Sequence, residues 1–223
     1  AHWLQRTGTA TYAYGVRMAF SGDGGRSWSA PLTPHTDSSN TEHGFVSLWR
    51  SANGNGVEAV WLDGRKYNPG GRDRSNEMSL ATAAFTFDGG VSAPERILDG
   101  RVCDCCQTSA AVTRRGPVIV YRDRSTEEIR DISVVRRMAD GRWTEPVAVH
   151  GDRWMINACP VNGPSIAARG DNVAVAWFTA ANNAPMVRVA FSRDAGATFL
   201  APIRGGGGRP GGRVGREGSG DRA

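Results

Sequence analysis

"SGDGGRSWS" (Ser21–Ser29) and "SRDAGATFL" (Ser192–Leu200) share one frame: Ser, any residue, Asp, any residue, Gly, two residues, then a large aromatic ring. In a tight turn an Asp carboxylate accepts N–H bonds from the residues that follow it, and Gly supplies the positive φ that other residues resist. Ser21, Asp23, Gly25 and Trp28 fill these roles in the first copy, and Ser192, Asp194, Gly196 and Phe199 in the second. The frame predicts two self-fastened hairpins, with Trp28 and Phe199 buried beneath them as anchors. A single copy would be an ordinary surface turn. Two copies with matched positions indicate a repeated unit.

The flanks carry the repeat further. Alternating stretches ("YGVRMAFS", "PMVRVAFS") lead into both frames, and Pro-centred exits ("WSAPL", "FLAPI") follow them. Similar exits recur in "VSAPERI" and "WTEPVAV", so that Pro31, Pro94, Pro146 and Pro202 are spaced by 63, 52 and 56 residues. Out of phase with these run the apolar segments "VEAVWLDGR", "PVIVYRDRS" and "VAVAWFTAA", each preceded by a stretch in which Ser47, Ser109 and Ser165 hold equivalent places. A period of about 50 to 60 residues belongs to repeat arrays. Each unit reads as four short strands: an inner strand with the Ser, a second strand apolar enough for burial on both faces, a third, and an outer one after the Pro. Helical periodicity is lacking and Gly-rich turns fall about every ten residues, which predicts an all-β chain. Four-stranded units repeating radially make a β-propeller. The chain is expected to open at a third strand and to hold two complete units, most of a third and part of another, ending out of pattern. The expected division is a partial propeller over residues 1–203 and a Gly/Arg-rich tail over 204–223.

Composition narrows function only a little. No run of 18 apolar residues is present, so no membrane-spanning helix is expected. The net charge of +5 comes largely from Arg, five of them after Ile203, yet the tail lacks aromatic residues for stacking, so nucleic acid is not an expected partner. "AHWLQRTG" is not a signal peptide.

Repeat phase locates the chemistry. The Asp-type hairpins close one end of the strands, and functional groups are expected at the other, in the loops of a rigid scaffold. His43 and Cys105 stand four residues before Ser47 and Ser109, with Cys106 and Cys159 close to their own serines. After the second strands come Asp63 and Arg65, then Arg122, Asp123, Arg124, Glu127, Glu128 and Arg130. Arg forks grip carboxylates bidentately, and buried carboxylates can be tuned as acid or base. Asp63, Glu127 and Glu128 are therefore the candidate catalytic carboxylates. Arg65, Arg122, Arg124, Arg130, His43 and Asp123 are the candidate substrate contacts. Tyr121 reads as core packing. Four cysteines (Cys103, Cys105, Cys106 and Cys159) suit disulfides in an exported protein, with Cys159 beside one of the others. "CDCC" sits tighter than usual zinc spacing, and with His43 at the same end a soft ion such as Cu(I) is the other reading.

The Ser-x-Asp-x-Gly-x-x-Trp/Phe frame resembles the Asp-box, the bacterial neuraminidase repeat of sialidases. "GRVCDCCQTSAAV", "VYRDRSTEEIRDISVVR" and "CPVNGP" resemble bacterial sialidase-family proteins over about Thr11 to Ile203. The resemblance implies a six-bladed propeller, an extracytoplasmic location with the signal sequence outside this chain, and retaining hydrolysis of a terminal sialic acid or similar acidic sugar without an obligatory cofactor. It also implies an Arg triad, a Tyr–Glu nucleophilic pair and an Asp acid/base. The family's Arg before the first Asp-box has no counterpart ahead of Ser21, and its Tyr and last Arg belong beyond Ile203, so the chain alone is expected not to hydrolyse sialosides. Asp-boxes also occur on non-hydrolytic propellers, which keeps a second class open: a glycan- or metal-binding propeller with a Cys/His/Arg end.

Overall fold

The structure, a computed structural model, describes residues 1–68, 70 and 75–205. It is all-β. The strands are β1 (His2–Arg6), β2 (Tyr14–Met18), β3 (His43–Arg50), β4 (Gly56–Asp63), β5 (Met78–Thr86), β6 (Val91–Val102) and β7 (Ser109–Thr113). They continue as β8 (Gly116–Arg122), β9 (Ile132–Arg136), β10 (Val147–Ala148), β11 (Ser165–Arg169), β12 (Asn172–Thr179), β13 (Met186–Ser192) and β14 (Ile203–Gly205). Three four-stranded sheets form in the orders β3-β4-β5-β6, β7-β8-β9-β10 and β11-β12-β13-β14, and β1-β2 make a two-stranded one. Every pairing is antiparallel between chain neighbours. Leu32 adds a bridge to Met18, so the first sheet has the start of an outer strand as well.

The repeat phase holds in the register. Ser47 pairs with Val60, Ser109 with Val120 and Ser165 with Ala176, in each case the residue just before the aromatic Trp61, Tyr121 or Trp177. The prolines fall where a missing N–H is harmless: Pro146 and Pro202 stand immediately before outer strands, and Pro94 lies within edge strand β6.

Side-chain alternation explains how the sheets stack. In β4, Ala59 and Trp61 face a cluster with Val16, Met18 and Phe20 of the first sheet, whereas Val60 and Leu62 face Ile119, Tyr121 and Val135 of the next. In β8, Ile119 and Tyr121 turn back toward β4, while Val118 and Val120 turn forward to Val173, Val175 and Trp177 of β12. Period-2 alternation thus buries both faces of β4 and β8, each against a different neighbour. β12 departs from the expectation, because its burial alternates and only the Val173–Val175–Trp177 face is covered. Among the described residues no further sheet lies on its other side. Neighbouring inner strands are joined by hydrogen bonds at 2.8 Å between the Ser47 and Thr108 hydroxyls and at 3.2 Å from Ile166 N–H to Ser109 Oγ.

Both Asp frames are fastened hairpins at the far ends of β2 and β13. Asp23 Oδ1 accepts from the N–H groups of Arg26 and Ser27, each at 2.9 Å, and Asp194 Oδ1 accepts from Thr198 N–H at 2.9 Å. Ser21 and Ser192 each donate to their Asp and accept from Gly25 N–H and Gly196 N–H respectively. Gly25 and Gly196 adopt φ of +90° and +78°. The rings correct the expectation. Phe199 is half-buried against the β8–β12 cluster, but Trp28 is 51 % exposed. The cause is what lies beside each hairpin. A Cβ built on Gly196 would stand 3.2 Å from Val118 and 3.4 Å from Arg136 of the preceding sheet, whereas one on Gly25 would meet only Trp28 itself, at 3.7 Å. The second hairpin leans on a neighbouring sheet, and among the described residues the first has none beside it.

Two boundaries also move. β1 precedes the expected opening strand and pairs with it, so the first sheet begins one strand earlier. It was not legible because all five of its residues are exposed, which leaves no alternation to read. At the other end β14 completes a third sheet and carries the pattern through Gly205, past the expected limit at 203. The rest of the expected tail, 206–223, lies outside the described residues.

Candidate functional site

At the ends of the strands away from the Asp hairpins, two polar clusters form. The first is built on β3 and β4, whose register places His43 opposite Asp63. Both are fully buried. Arg65 donates to both Asp63 oxygens, at 2.6 and 2.7 Å, and also reaches Glu95. Trp61 Nε1–H donates to Asp63 at 3.0 Å. Burial works against the Asp63 carboxylate, but Arg65, His43 and Trp61 outweigh it and hold its pKa below the ordinary value. His43 stacks on His35 at 3.9 Å and stands 3.3 Å from Asp37 and 3.6 Å from Asp63. Arg65 and Trp61 satisfy Asp63, whereas the buried His43 Nε2 stands near two carboxylates without a hydrogen bond; none of these groups lines the large cleft described below.

The second cluster gathers on the loop between β8 and β9. Glu128, at a φ of +61°, accepts from Arg124 at 2.9 Å, from Arg130 at 2.9 Å and from Arg101 at 3.1 Å. Bonds from Arg124 hold its pKa down, burial opposes them, and Arg130 adds to the lowering. Arg130, almost wholly buried, also reaches Asp104 at 3.3 Å, with Arg124 Nη1 3.9 Å from the same carboxylate.

Three expected site residues sit elsewhere. Arg122 is 1 % exposed and donates to the carbonyls of Asn162, Arg130 and Phe178 at 2.7, 2.5 and 2.7 Å, with its guanidinium 4.9 Å above the Trp154 ring. It clamps two neighbouring sheets instead of facing a ligand. Asp123 is tied to Ser133 Oγ at 2.9 Å and to Arg124 N–H at 2.6 Å, and burial raises its pKa. Glu127 is exposed and caps its own turn, accepting from Thr126 Oγ1 at 2.8 Å. Tyr121 is core, with its hydroxyl bonded to Asp99 at 2.6 Å.

Between the two clusters lies a cleft of about 730 Å³, within the range of small-molecule sites. Its lining includes the titratable groups Tyr14, Glu42, Tyr67 and Asp104, with Phe45 beside them and the Cys105–Cys159 disulfide on its wall. Tyr14 at the start of β2 donates to Glu42 Oε1 at 2.5 Å. Burial and this bond push the Tyr14 phenol well above its ordinary pKa, and burial likewise raises that of Glu42. Tyr67 donates to Asp104 at 3.2 Å, and burial lifts its pKa to about 12. Gly64, just past β4, makes the packing around Glu42 possible: it donates to Glu42 O at 2.8 Å, and a Cβ at 64 would fall within 2.5 Å of that oxygen.

Sequence reasoning missed these four polar groups. Glu42 and Asp104 each immediately precede a residue that phase had selected, His43 and Cys105, so the phase signal reached them within one position. Tyr14 and Tyr67 carried no such signal. The cysteines came together as expected: Cys103–Cys106 and Cys105–Cys159 are disulfides, the second joining loops of neighbouring sheets.

The features define a class: an all-β protein of consecutive four-stranded antiparallel sheets with a carboxylate- and phenol-lined cleft at one end of the strands. No family model matches the chain, and no curated protein matches it.

Proposed function

We propose that the chain is part of a sialidase-like β-propeller and that the cleft takes the terminal sugar of an acidic glycan for hydrolysis. The fold part of this reading is supported by inner strands that succeed one another in contact and by fastened Asp hairpins repeated at one strand end. The observation that carries the chemistry is the Tyr14–Glu42 hydrogen bond in a cleft that Asp104 also lines. In the proposed reaction Glu42 accepts the phenolic proton as Tyr14 Oη attacks the anomeric carbon, and Asp104 protonates the departing glycosidic oxygen. Water then releases the sugar by the reverse proton movements. Arg124 and Arg130, against Asp104, supply positive charge for a sugar carboxylate. This reading moves the catalytic carboxylates from Asp63, Glu127 and Glu128 to Glu42 and Asp104. It also places a Tyr–Glu pair within the chain, where none was expected.

A second reading, glycan binding without turnover, is favoured by one feature: among the described residues no Arg lines the cleft itself. Hydrolysis of a fluorogenic sialoside, together with ligand-observed NMR binding of the free acidic sugar, tests both. Turnover that Tyr14→Phe and Glu42→Gln abolish while binding persists supports hydrolysis. With Glu42 required as its carboxylate, turnover rises as pH climbs through its raised pKa. Binding without turnover selects the second reading, and absence of both rejects the proposal.

A further inference from the structure

The four cysteines form a single sulfur cluster that the proposed hydrolysis does not use. The sulfurs of Cys103, Cys105 and Cys106 all lie within 4.8 Å of one another, and Cys159 is tied to the group through its bond to Cys105. Cys103 Sγ and Cys105 Sγ, which are not bonded to each other, stand 3.8 Å apart. A zinc ion with four sulfurs at about 2.3 Å in a tetrahedron has sulfur–sulfur edges of about 3.8 Å. The paired Cα atoms are 5.8 and 6.2 Å apart, and Cys105, adjacent to Cys106 in the chain, links the two pairs. Cys103 and Cys106 also have the C-x-x-C spacing of zinc sites.

The surroundings suit an anionic metal–thiolate centre. Arg130 Nη1–H donates to Cys103 Sγ at 3.5 Å, and that side chain is only 4 % exposed. A cation at this place offsets the charge that four thiolates leave around a divalent ion. His43, expected to share a soft-metal site, is engaged with His35, Asp37 and Asp63. The donors are therefore sulfur alone, which selects thiophilic ions. Access runs from the cleft. Cys105 and Cys159 line it and Cys159 is exposed, whereas Cys103 and Cys106 are sealed behind them.

We propose that, when its two disulfides are reduced, this cluster binds one Zn(II) through Cys103, Cys105, Cys106 and Cys159, so that the same four residues join the two loops in either redox state. Each disulfide takes two electrons and two protons. A trialkylphosphine supplies the electrons, becomes the phosphine oxide and takes its oxygen from the water that gives the protons. Zn(II) then displaces four thiol protons and forms four Zn–S bonds with no further change of oxidation state.

The test uses the whole chain, reduced with a trialkylphosphine under argon and freed of reductant. Zn(II) is added and the metal-to-protein ratio measured after gel filtration, and Co(II) replaces it for visible spectroscopy. The expected results are one Zn(II) per chain, the intense visible bands of tetrahedral thiolate Co(II), and protection of all four cysteines from maleimide as mapped by peptide mass. Cys159→Ser, a change at an exposed loop position, is expected to weaken Zn(II) binding at least about tenfold. Equal affinity in that variant, a bound ion that leaves the cysteines open to alkylation, or no stoichiometric binding would each overturn the proposal. So would loss of β-sheet circular dichroism on reduction that Zn(II) fails to restore. None of these readouts depends on glycoside hydrolysis.

Discussion

Replacing Arg122 by Met separates a structural role from a ligand-binding one. The side chain gives three charge-assisted hydrogen bonds to carbonyls of three different segments. Bonds of this kind contribute about 2 kcal/mol each, so their loss costs about 6 kcal/mol. Burial draws the Arg122 pKa down from its ordinary value to about 10, with Asp131 and Asp152 pulling the other way. At about 1.4 kcal/mol per tenfold, that leaves the charged group some 3 kcal/mol worse off here than in water, a cost the Met variant escapes. The net expectation is a destabilisation of about 3 kcal/mol, large against the total stability of an ordinary domain. Urea unfolding followed by tryptophan fluorescence measures it as a fall in midpoint at unchanged slope. Below the transition, the variant's affinity for an acidic glycan is expected to match that of the parent. A variant as stable as the parent but unable to bind glycan would refute the clamp and return Arg122 to the ligand.

Phe199→Ala is expected to cost about 2 kcal/mol and Trp28→Ala under about 1 kcal/mol in the same assay, because only the first ring is packed between sheets; the reverse order would undo the account of the two hairpins. Asp194 has its pKa depressed: burial opposes this, but bonds from Thr198 and Ser192 prevail. A carboxylate with a folded pKa below its unfolded value stabilises above the unfolded value, and that contribution is lost as pH falls through the folded one. The stability gap between the parent and Asp194→Asn should therefore close on acidification below about 3.9, and a gap independent of pH would contradict it. Glu128→Gln leaves Arg101, Arg124 and Arg130 without their shared carboxylate, and is expected to lower stability by about 2 kcal/mol, as read from the urea midpoint.

What the sequence disclosed and what it hid follow from the range of the interactions. The strands of the three full sheets, the pairing of Ser47, Ser109 and Ser165, and both Asp hairpins depend on neighbours within one unit. Alternation and turn chemistry record such neighbours directly. The depth of Trp28 and Phe199 depends on the adjacent sheet, which the hairpin's own residues do not encode, so identical frames end in different surroundings. Arg122 shows the same limit at the site. "YRDRS" reads as a charged loop, but its first Arg belongs to the last position of β8, where the side chain turns inward between sheets. Its three partners lie 8, 40 and 56 residues away, and all are carbonyls, which carry no residue signature.

The cleft extends that argument from stability to chemistry. Tyr14 and Glu42 are 28 residues apart, one opening β2 and the other just ahead of β3 in a different sheet, and each is unremarkable in its own segment. Their meeting is set by the stacking of β2 on β4 and β5 through Val16, Met18 and Phe20, and by Gly64 admitting the Glu42 carbonyl. Hydrophobic alternation therefore decides which polar groups converge, although it names none of them. The carboxylates that looked catalytic were those in charge-rich loops, and such loops neutralise themselves, as Glu128 does with three guanidiniums. Among the described residues no guanidinium stands against Glu42; it has a phenol, and burial raises its pKa. A carboxylate poised in this way keeps proton affinity available for a reaction, whereas one held down by arginines has already given it up. The distinction rests on packing between sheets, which is why the Tyr14–Glu42 pair becomes visible only once the stack is built.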